Sequence, residues 1–500
     1  PVTESHSGLS RGYIRYALAL LALGNLLNYL DRNIIFALFE PIRRDLHVSD
    51  TQLGWLGSAY AIVFSVGALF AGVLSDLVSR RAVIAGGVAL WSSFTAMGGA
   101  VSSYWQLFVS RSFVGIGQSS YLPAAQALLA DYYPTRGRAQ AMGIFWVGLA
   151  LGGVLAVWLG GALATAFGWR STLVIVGLPG LLFALLLSRL RDPAARAAPV
   201  VSRAAAAKLH ITWRVAARTM MPLLASLLLA TVVFGFLALF ENVPASADLV
   251  VFGVIAGAGL IGTIGLWVRI AMVRHPSVTS APADAVDEML DAASLVLRTP
   301  TLIWLFLGGA LTSASMNTLV AWSTSFLQRE LDLTLLEAGR RIGPIGLAGG
   351  VLGSYVGGRL GDVLFERWPA GRVIAGAMGF LVGAPICVGM LLATDVSQFS
   401  ILFFLVVFLF TWYNGPIAAV LFDVVPREIG ATVMGAYIFF IHIAGDAIAL
   451  PVVGFLSDRY GLRPALLTLP VIGLVGGLIL IFAVFTVGRD MERLKSKPPV

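Results

Sequence analysis

The sequence predicts an all-α polytopic membrane protein, with two six-helix bundles and an inserted helix pair making about 14 spans. Of its 500 residues, 58% are hydrophobic and only 12% are charged, whereas soluble proteins carry about 25% charged residues. Its apolar runs are long enough to cross a bilayer, which takes about 20 residues of helix. A repeated set of motifs also relates the two halves of the chain. These observations exclude a soluble globular domain.

Apolar runs of spanning length divide the chain into two groups of six and a central pair. Spans 1 to 6 lie at about 13–38, 51–75, 82–102, 105–130, 138–165 and 171–189. A basic, alanine-rich stretch follows, and then the central pair at about 219–241 and 249–273. Spans 7 to 12 lie at about 298–326, 335–360, 371–394, 398–423, 429–456 and 464–487. The predicted domains are a tail (1–12), an N-terminal six-helix bundle (13–190), a linker carrying the central pair (191–297), a C-terminal six-helix bundle (298–488) and a second tail (489–500).

Several motifs occur twice, once in each predicted bundle. Asp-x-x-Pro at 131–134 precedes Met142-Gly143, and Asp-x-x-Pro at 423–426 precedes Met434-Gly435 at the same spacing. The other repeated pairs are Gly72 with Gly358, Asp76 with Asp362, and Gly168 with Gly461. Two six-helix halves in the same orientation form the parallel repeat that is typical of secondary transporters.

Charge in the loops predicts the orientation of the chain. Most of the 34 lysines and arginines lie in tails and loops on the side of both chain ends. Short cytoplasmic loops retain positive charge, so we expect both termini in the cytoplasm. An anionic inner leaflet would attract these basic loops, so the net charge of +8 does not require a nucleic-acid partner. The sequence has no Asn-x-Ser/Thr glycosylation site, which favours a bacterial inner membrane.

Polar residues interrupt spans 1 and 4. Asp31 and Arg32 lie in the middle of span 1, where a charge costs about 3 kcal/mol on insertion scales and marks an ion or substrate path. Asn28 lies on the same side of that helix. Arg111 on span 4 is a candidate partner for Asp31, and two guanidinium groups with one carboxylate leave a positive site that suits a phosphate. A purely structural bridge between Asp31 and Arg111 is the alternative.

Two stretches carry a resemblance to known families. The loop from Gly72 to Arg81 resembles the signature loop of the major facilitator superfamily, and its counterpart begins at Gly358. Within that superfamily, residues 28–32 of span 1 and residues 111–121 of span 4 resemble the Spinster family. The resemblance implies a major facilitator fold in which spans 1 and 4 line a central cavity. It also implies transport of lysophospholipids or sphingosine phosphates, driven by protons in bacterial members.

Gln118 departs from the Spinster pattern, which usually has a glutamate at this position. An amide keeps the hydrogen-bonding shape of a protonated glutamate but cannot titrate. Coupling would then depend on Asp31 alone, or Gln118 would hold the site in its proton-loaded form. Symport and exchange both stay open.

The sequence therefore predicts a secondary active transporter that moves an amphipathic anionic or zwitterionic lipid by alternating access, coupled to protons through Asp31. A proton-coupled drug or organic-anion transporter of the same superfamily is the alternative. The nucleotide-binding Gly-rich loop and the His-Glu-x-x-His motif are missing from the sequence, so we expect no enzyme activity, cofactor or metal site. The expected partners are the lipid substrate, protons and the bilayer, and we expect a monomer.

Each candidate residue has a predicted role. Asp31 and Gln118 are assigned to proton coupling, and the substrate contacts are Arg32, Arg111, Asn28 and Tyr60. The predicted inner gate comprises Gly72, Asp76, Arg80, Arg81, Asp131, Arg136 and Asp362. His442 and Asp446 lie on one face of span 11, either as a second proton site or as a hydrogen-bonded structural pair.

Overall fold

A computed structural model describes residues 10–77, 79–133, 138–192, 293–426 and 430–496 of the chain. Every regular element within these ranges is helical. The predicted central pair at 219–241 and 249–273, most of the predicted linker, and Arg136 lie outside the described residues.

The N-terminal half follows the predicted order of spans. Its helices are span 1 (Arg11–Ala37), a short helix (Phe39–Leu46), span 2 (Asp50–Leu77), span 3 (Arg80–Gly98), span 4 (Tyr104–Tyr132), and spans 5 and 6 within Arg138–Ser188. The last of these is interrupted at Gly168, whose φ of 80° and ψ of 162° are not helical. Glycine adopts such a positive φ without the steric penalty of a side chain.

The C-terminal half contains spans 7 to 12. They are span 7 (Pro300–Glu330), span 8 (Leu335–Phe365), span 9 (Gly371–Leu391), span 10 (Val396–Phe410, Thr411–Tyr413, Asn414–Asp423), span 11 (Gly430–Ile441, His442–Asp446, Ala447–Tyr460) and span 12 (Leu462–Leu466, Thr468–Val484). A short helix, Val487–Lys495, follows span 12. Gly461 lies between spans 11 and 12 with φ 91° and ψ 161°, nearly the geometry of Gly168. The two glycines that the sequence repeat pairs therefore also share the same backbone conformation.

The apolar helices account for the membrane character of the chain. Six described helices are long and apolar enough to cross a membrane by length and composition: Ala141–Ser188, Pro300–Glu330, Gly371–Leu391, Val396–Asp423, Thr432–Tyr460 and Leu462–Val484. Large apolar side chains such as Leu182 and Ile401 are 70% and 63% exposed. Because soluble proteins rarely expose large apolar patches, these surfaces are suited to contact with lipid tails.

The chain divides into two compact units. The first comprises Pro1–Pro199, Trp304–Val420 and Tyr437–Gly488, and the second comprises Val200–Ile303, Leu421–Ala436 and Arg489–Val500. The described candidate residues all belong to the first unit. In the second unit, Thr301 donates from its backbone N–H (3.0 Å) and its hydroxyl (2.6 Å) to Asp490 Oδ2.

Spans 1 and 5 approach each other closely through glycine. A Cβ on Gly152 would lie against the backbone oxygen of Leu26, and 2.9 Å from Cβ of Tyr29. A Cβ on Gly148 would lie 2.6 Å from the backbone oxygen of Ala22. Small residues at such crossings let two membrane helices come together. This contact fixes the part of span 1 that precedes Asp31.

We expect Gly152→Ala to destabilise the protein, because the added methyl group must push span 5 away from span 1. Overpacking of this kind costs about 1–3 kcal/mol. Thermal denaturation of the purified protein in detergent measures the effect. The neighbouring Gly153→Ala is the matched control, since its Cβ would meet only the Asn33 side chain at 4.0 Å. Equal melting temperatures for the two variants would contradict the packing argument.

Candidate functional site

Asp31 is the centre of a buried polar cluster in the N-terminal half. Its side chain is 4% exposed, and the hydroxyl of Thr95 on span 3 lies 2.9 Å and 2.7 Å from its two carboxylate oxygens. Arg111 of span 4 donates to Oδ1 at 3.4 Å and to the backbone oxygen of Asp31 at 3.3 Å. Gln118 donates to Oδ2 at 3.4 Å. Three side chains therefore point donors at one carboxylate, which is the arrangement that an ionised, acceptor-only group requires.

Tyr60 of span 2 fixes the direction of the Gln118 amide. Its hydroxyl donates to Gln118 Oε1 at 2.7 Å, which leaves the amide NH₂ for Asp31. An ionised glutamate in the same place would present oxygens to Asp31 and repel it. Gln118 therefore supports the charged form of Asp31, whereas the sequence alone left its effect open.

Arg32 points away from Asp31. Its guanidinium carbon lies 5.7, 5.3 and 5.5 Å from the ring centroids of Tyr29, Tyr60 and Phe64. Such distances are typical of cation–π contacts. The predicted grouping of both guanidiniums with one carboxylate is therefore wrong for Arg32, which contacts the three aromatic rings instead. Consecutive side chains on a helix point about 100° apart, so Asp31 faces spans 3 and 4 while Arg32 faces span 2.

Tyr60 lies close to both arginines, and its predicted contact with substrate stays a prediction. Its ring centroid lies 5.3 Å from the guanidinium carbon of Arg32 and 5.9 Å from that of Arg111. Asn28 is buried at 6% exposure on the same helix as Asp31, and its contact with substrate stays a prediction. The nearby Asn25 instead donates to the backbone oxygen of Phe145 on span 5 at 2.9 Å.

The predicted gate residues contact partners within their own halves. Arg80 forms an ion pair with Asp131 and also donates to the backbone oxygen of Ala127 at 3.2 Å. Arg81 donates to the backbone oxygen of Leu190 at 3.4 Å, and Asp362 pairs with Arg372 at 2.8 Å. Gly72 and Asp76 lie in the last turns of span 2. Their shared gating role stays a prediction.

His442 and Asp446 form the buried pair that their spacing predicts. The Nδ1 of His442 lies 2.6 Å from Asp446 Oδ2. Two residues of span 7 complete the cluster: Ser313 donates to Oδ1 at 2.8 Å, and Asn317 donates to Oδ2 at 2.9 Å. Ser313 and Asn317 carry no signal in the sequence, because small polar residues are common in membrane helices.

A cluster of charged residues that the sequence did not predict joins the two halves at the predicted outer face. Arg329, at the end of span 7, donates to Glu40 at 2.5 Å and to both carboxylate oxygens of Asp50 at 2.5 and 2.7 Å. Ser457 of span 11 donates to Asp50 at 2.5 Å. Both acids are nearly inaccessible, with side chains 1% and 5% exposed. We call these residues, together with Asp458, the outer cluster.

Asp458 contributes to the outer cluster by capping the start of span 2 from the other half. It accepts from the backbone N–H groups of Asp50 and Thr51 at 2.8 and 2.9 Å, and from the Thr51 hydroxyl at 2.6 Å. The first N–H groups of a helix lack partners within it, so a carboxylate there is stabilising. A cap supplied by a distant span leaves no local sequence pattern.

Comparisons with known proteins agree on the fold. A model of the Major Facilitator Superfamily matches residues 21–249 and 246–445. An MFS-type efflux pump of Mycolicibacterium smegmatis is 28% identical over 443 residues, covering 88% of this chain and 84% of that protein. The solved structure of a bacterial homologue of the human lysosomal transporter Spinster, inward-facing and unoccupied, has a TM-score of 0.72 at 20% identity, covering 96% of this chain and 99% of that one. The predicted major facilitator fold is thereby confirmed.

The predicted resemblance to Spinster proteins is also confirmed, over a limited length. The sphingosine-1-phosphate transporter SPNS2 of Danio rerio is 30% identical over 168 residues, which are 33% of this chain and 33% of that protein. The sequence likeness to this relative therefore covers about a third of either chain.

We expect Thr95→Val to destabilise the protein, because it removes a hydroxyl donor from buried Asp31 while keeping the shape of the side chain. A hydrogen bond to a charged group contributes about 1.5–3 kcal/mol. Thermal denaturation measures the loss, and Thr95→Ser, which keeps the hydroxyl, is the control. A valine variant as stable as the wild type would show that the hydroxyl does not support the carboxylate.

Proposed function

We propose a lipid-transport function for this chain, which belongs to the Major Facilitator Superfamily. Membership of that family makes the chain a multi-pass membrane transporter and not an enzyme. The proposed substrate is an amphipathic lipid with an anionic or zwitterionic head group, such as a lysophospholipid or a sphingosine phosphate. The proposed setting is a bacterial inner membrane, with both termini in the cytoplasm and the protein acting as a monomer.

Arg32 is the observation that carries this proposal. It lies within span 1 among Tyr29, Tyr60 and Phe64, and no carboxylate forms an ion pair with it in the part of the chain that the structure describes. Asp446 acts on it electrostatically without forming an ion pair. A cation at membrane depth without an ion-pair partner is costly, and such residues mark substrate or ion paths. A guanidinium can bind a phosphate through two parallel hydrogen bonds. The aromatic rings beside it are suited to the apolar part of an amphiphile.

Asp31 provides a physical route to proton coupling. Protonation would remove the negative charge that Thr95, Arg111 and Gln118 now solvate, and Arg111 would lose its counter-charge. The region would then be more positive and would bind an anionic head group more tightly. Because binding linkage is reciprocal, the bound anion would favour the protonated form of Asp31 to the same degree. This electrostatic relation supports movement of proton and lipid together, whereas exchange requires the two to compete.

A proton-coupled drug or organic-anion exporter is the second candidate. The efflux pump of Mycolicibacterium smegmatis aligns along 84% of its own length, far more than SPNS2 does. However, a site for cationic drugs should carry surplus negative charge, since binding surfaces complement the charge of the ligand. Asp31 is paired with Arg111, whereas Arg32 lies among aromatic rings and forms no ion pair among the described residues. A guanidinium in this position favours an anionic substrate over a cationic one.

We expect Arg32→Gln to reduce lysophosphatidylglycerol uptake into proteoliposomes by about 10-fold or more. The reason is the loss of a charge-assisted contact with the phosphate, worth about 1.5–3 kcal/mol. The control is Arg340→Gln, which removes an exposed arginine of span 8. Unchanged uptake in Arg32→Gln would contradict the assigned head-group site. Transport of ethidium with no transport of the lysolipid would favour the drug exporter.

We expect Asp31→Asn to abolish uptake driven by a pH gradient while permitting exchange of labelled lipid without a gradient. The amide keeps a hydrogen-bonding oxygen for Thr95 and Arg111 but cannot bind a transported proton. Uptake into proteoliposomes, with imposed pH gradients of each sign, separates symport from exchange. Full gradient-driven accumulation by Asp31→Asn would remove the coupling role from this residue.

A further inference from the structure

The Asp446 carboxylate lies in a pocket of donors that suits its ionised form. Its side chain is 6% exposed, and it accepts from Ser313 at 2.8 Å and from Asn317 at 2.9 Å. Asn317 also donates to the Ser313 hydroxyl at 3.0 Å, which holds both side chains in place. Because an ionised carboxylate only accepts hydrogen bonds, this set of donors selects the charged state.

The charged carboxylate determines which nitrogen of His442 carries a proton. Asp446 Oδ2 lies 2.6 Å from Nδ1, so Nδ1 is the donor and Nε2 is left as the proton acceptor. The imidazole side chain is 16% exposed, against 6% for Asp446, so it is the more accessible member of the pair. A second proton would make an imidazolium directly beside a fixed negative charge.

The backbone around this pair departs from a regular α-helix. Residues His442–Asp446 form a π-helical segment inside span 11. Such segments are rare and occur frequently at functional sites. Gly445 within the segment packs directly on the backbone oxygen of Ala310 in span 7, where a side chain would not fit. The irregular turn is thus held against the same span that provides Ser313 and Asn317.

Two groups from other spans also act on Asp446. The charge of Asp446 interacts electrostatically with Arg32 of span 1, in the other half of the transporter. On span 10, Tyr413 interacts with both Asp446 and Ser313. The contacts from span 7 are uncharged, and on span 11 itself the titratable neighbour is His442. Asp446 therefore contacts His442 directly and acts on Arg32 only through a weaker electrostatic attraction.

We propose that Nε2 of His442 is a second proton-binding site, positioned by Asp446 and separate from the site at Asp31. A proton bound at Nε2 would offset the charge of Asp446 and so weaken its electrostatic attraction for Arg32. Arg32 would then attract an anionic head group more strongly. This last consequence rests on the proposed function, whereas the protonation itself does not.

Nuclear magnetic resonance of the full chain, labelled with ¹³C-histidine in lipid nanodiscs, tests the protonation directly. We expect one imidazole signal that is absent from His442→Gln, altered in Asp446→Asn, and shifted when the sample is moved from about pH 8 to about pH 5. The two variants assign the signal independently. Asp31→Asn is the control and should leave this titration in place. An assigned His442 signal that does not change across this range would overturn the proposal.

Binding of lysophosphatidylglycerol to the same samples tests the consequence for Arg32. We expect the wild type to bind at least about threefold more tightly at pH 5.5 than at pH 8, since added positive charge favours an anion. Asp31→Asn should retain part of this pH dependence, and a further His442→Gln change should remove it. A titrating His442 in a protein that binds no lysolipid would support the proton site and contradict the proposed function. Lysolipid binding that keeps its full pH dependence in His442→Gln would contradict the coupling to Arg32.

Discussion

A carboxylate buried at membrane depth must be satisfied by neighbouring donors, and Asp31 imposes this constraint on the N-terminal half. Thr95 and Arg111 can contact Asp31 only if spans 1, 3 and 4 lie close together. Glycines allow the helices to approach to this extent. A Cβ on Gly117 of span 4 would lie 2.7 Å from the backbone oxygen of Gly87 on span 3. Removing one partner of a buried ion pair typically costs about 3–5 kcal/mol, so the cluster and the helix packing stabilise each other.

Within this cluster, the residues that could be predicted from the sequence are the charged ones, because they lie in apolar spans. Asp31 and Arg111 stand out because charges within apolar runs need an explanation, and the Spinster resemblance added Gln118. Thr95 carries no such signal, since a threonine is common in membrane helices and its partner is distant in the sequence. The different directions of Arg32 and Asp31 were not predicted, because the polar residues of span 1 were assigned to one face of the helix. Adjacent positions of a helix in fact point about 100° apart.

The fold was predictable for a different reason. Long apolar runs give the spans, and the repeated motifs give the relation between halves, down to the matching backbone of Gly168 and Gly461. Contacts between the halves have no comparable pattern. Arg329 could pair with many acids as far as the sequence can tell, and only the assembled bundle brings it to Glu40 and Asp50.

The contacts of the outer cluster would be lost if the two halves separated at this end of the bundle. Glu40 and Asp50 would lose their ion pairs with Arg329, and Asp458 would lose its contacts with Asp50 and Thr51. The start of span 2 would also lose its borrowed cap, so parting must overcome both costs. Separation at this end therefore requires a compensating free energy, such as that of ligand binding or of new contacts in the separated state.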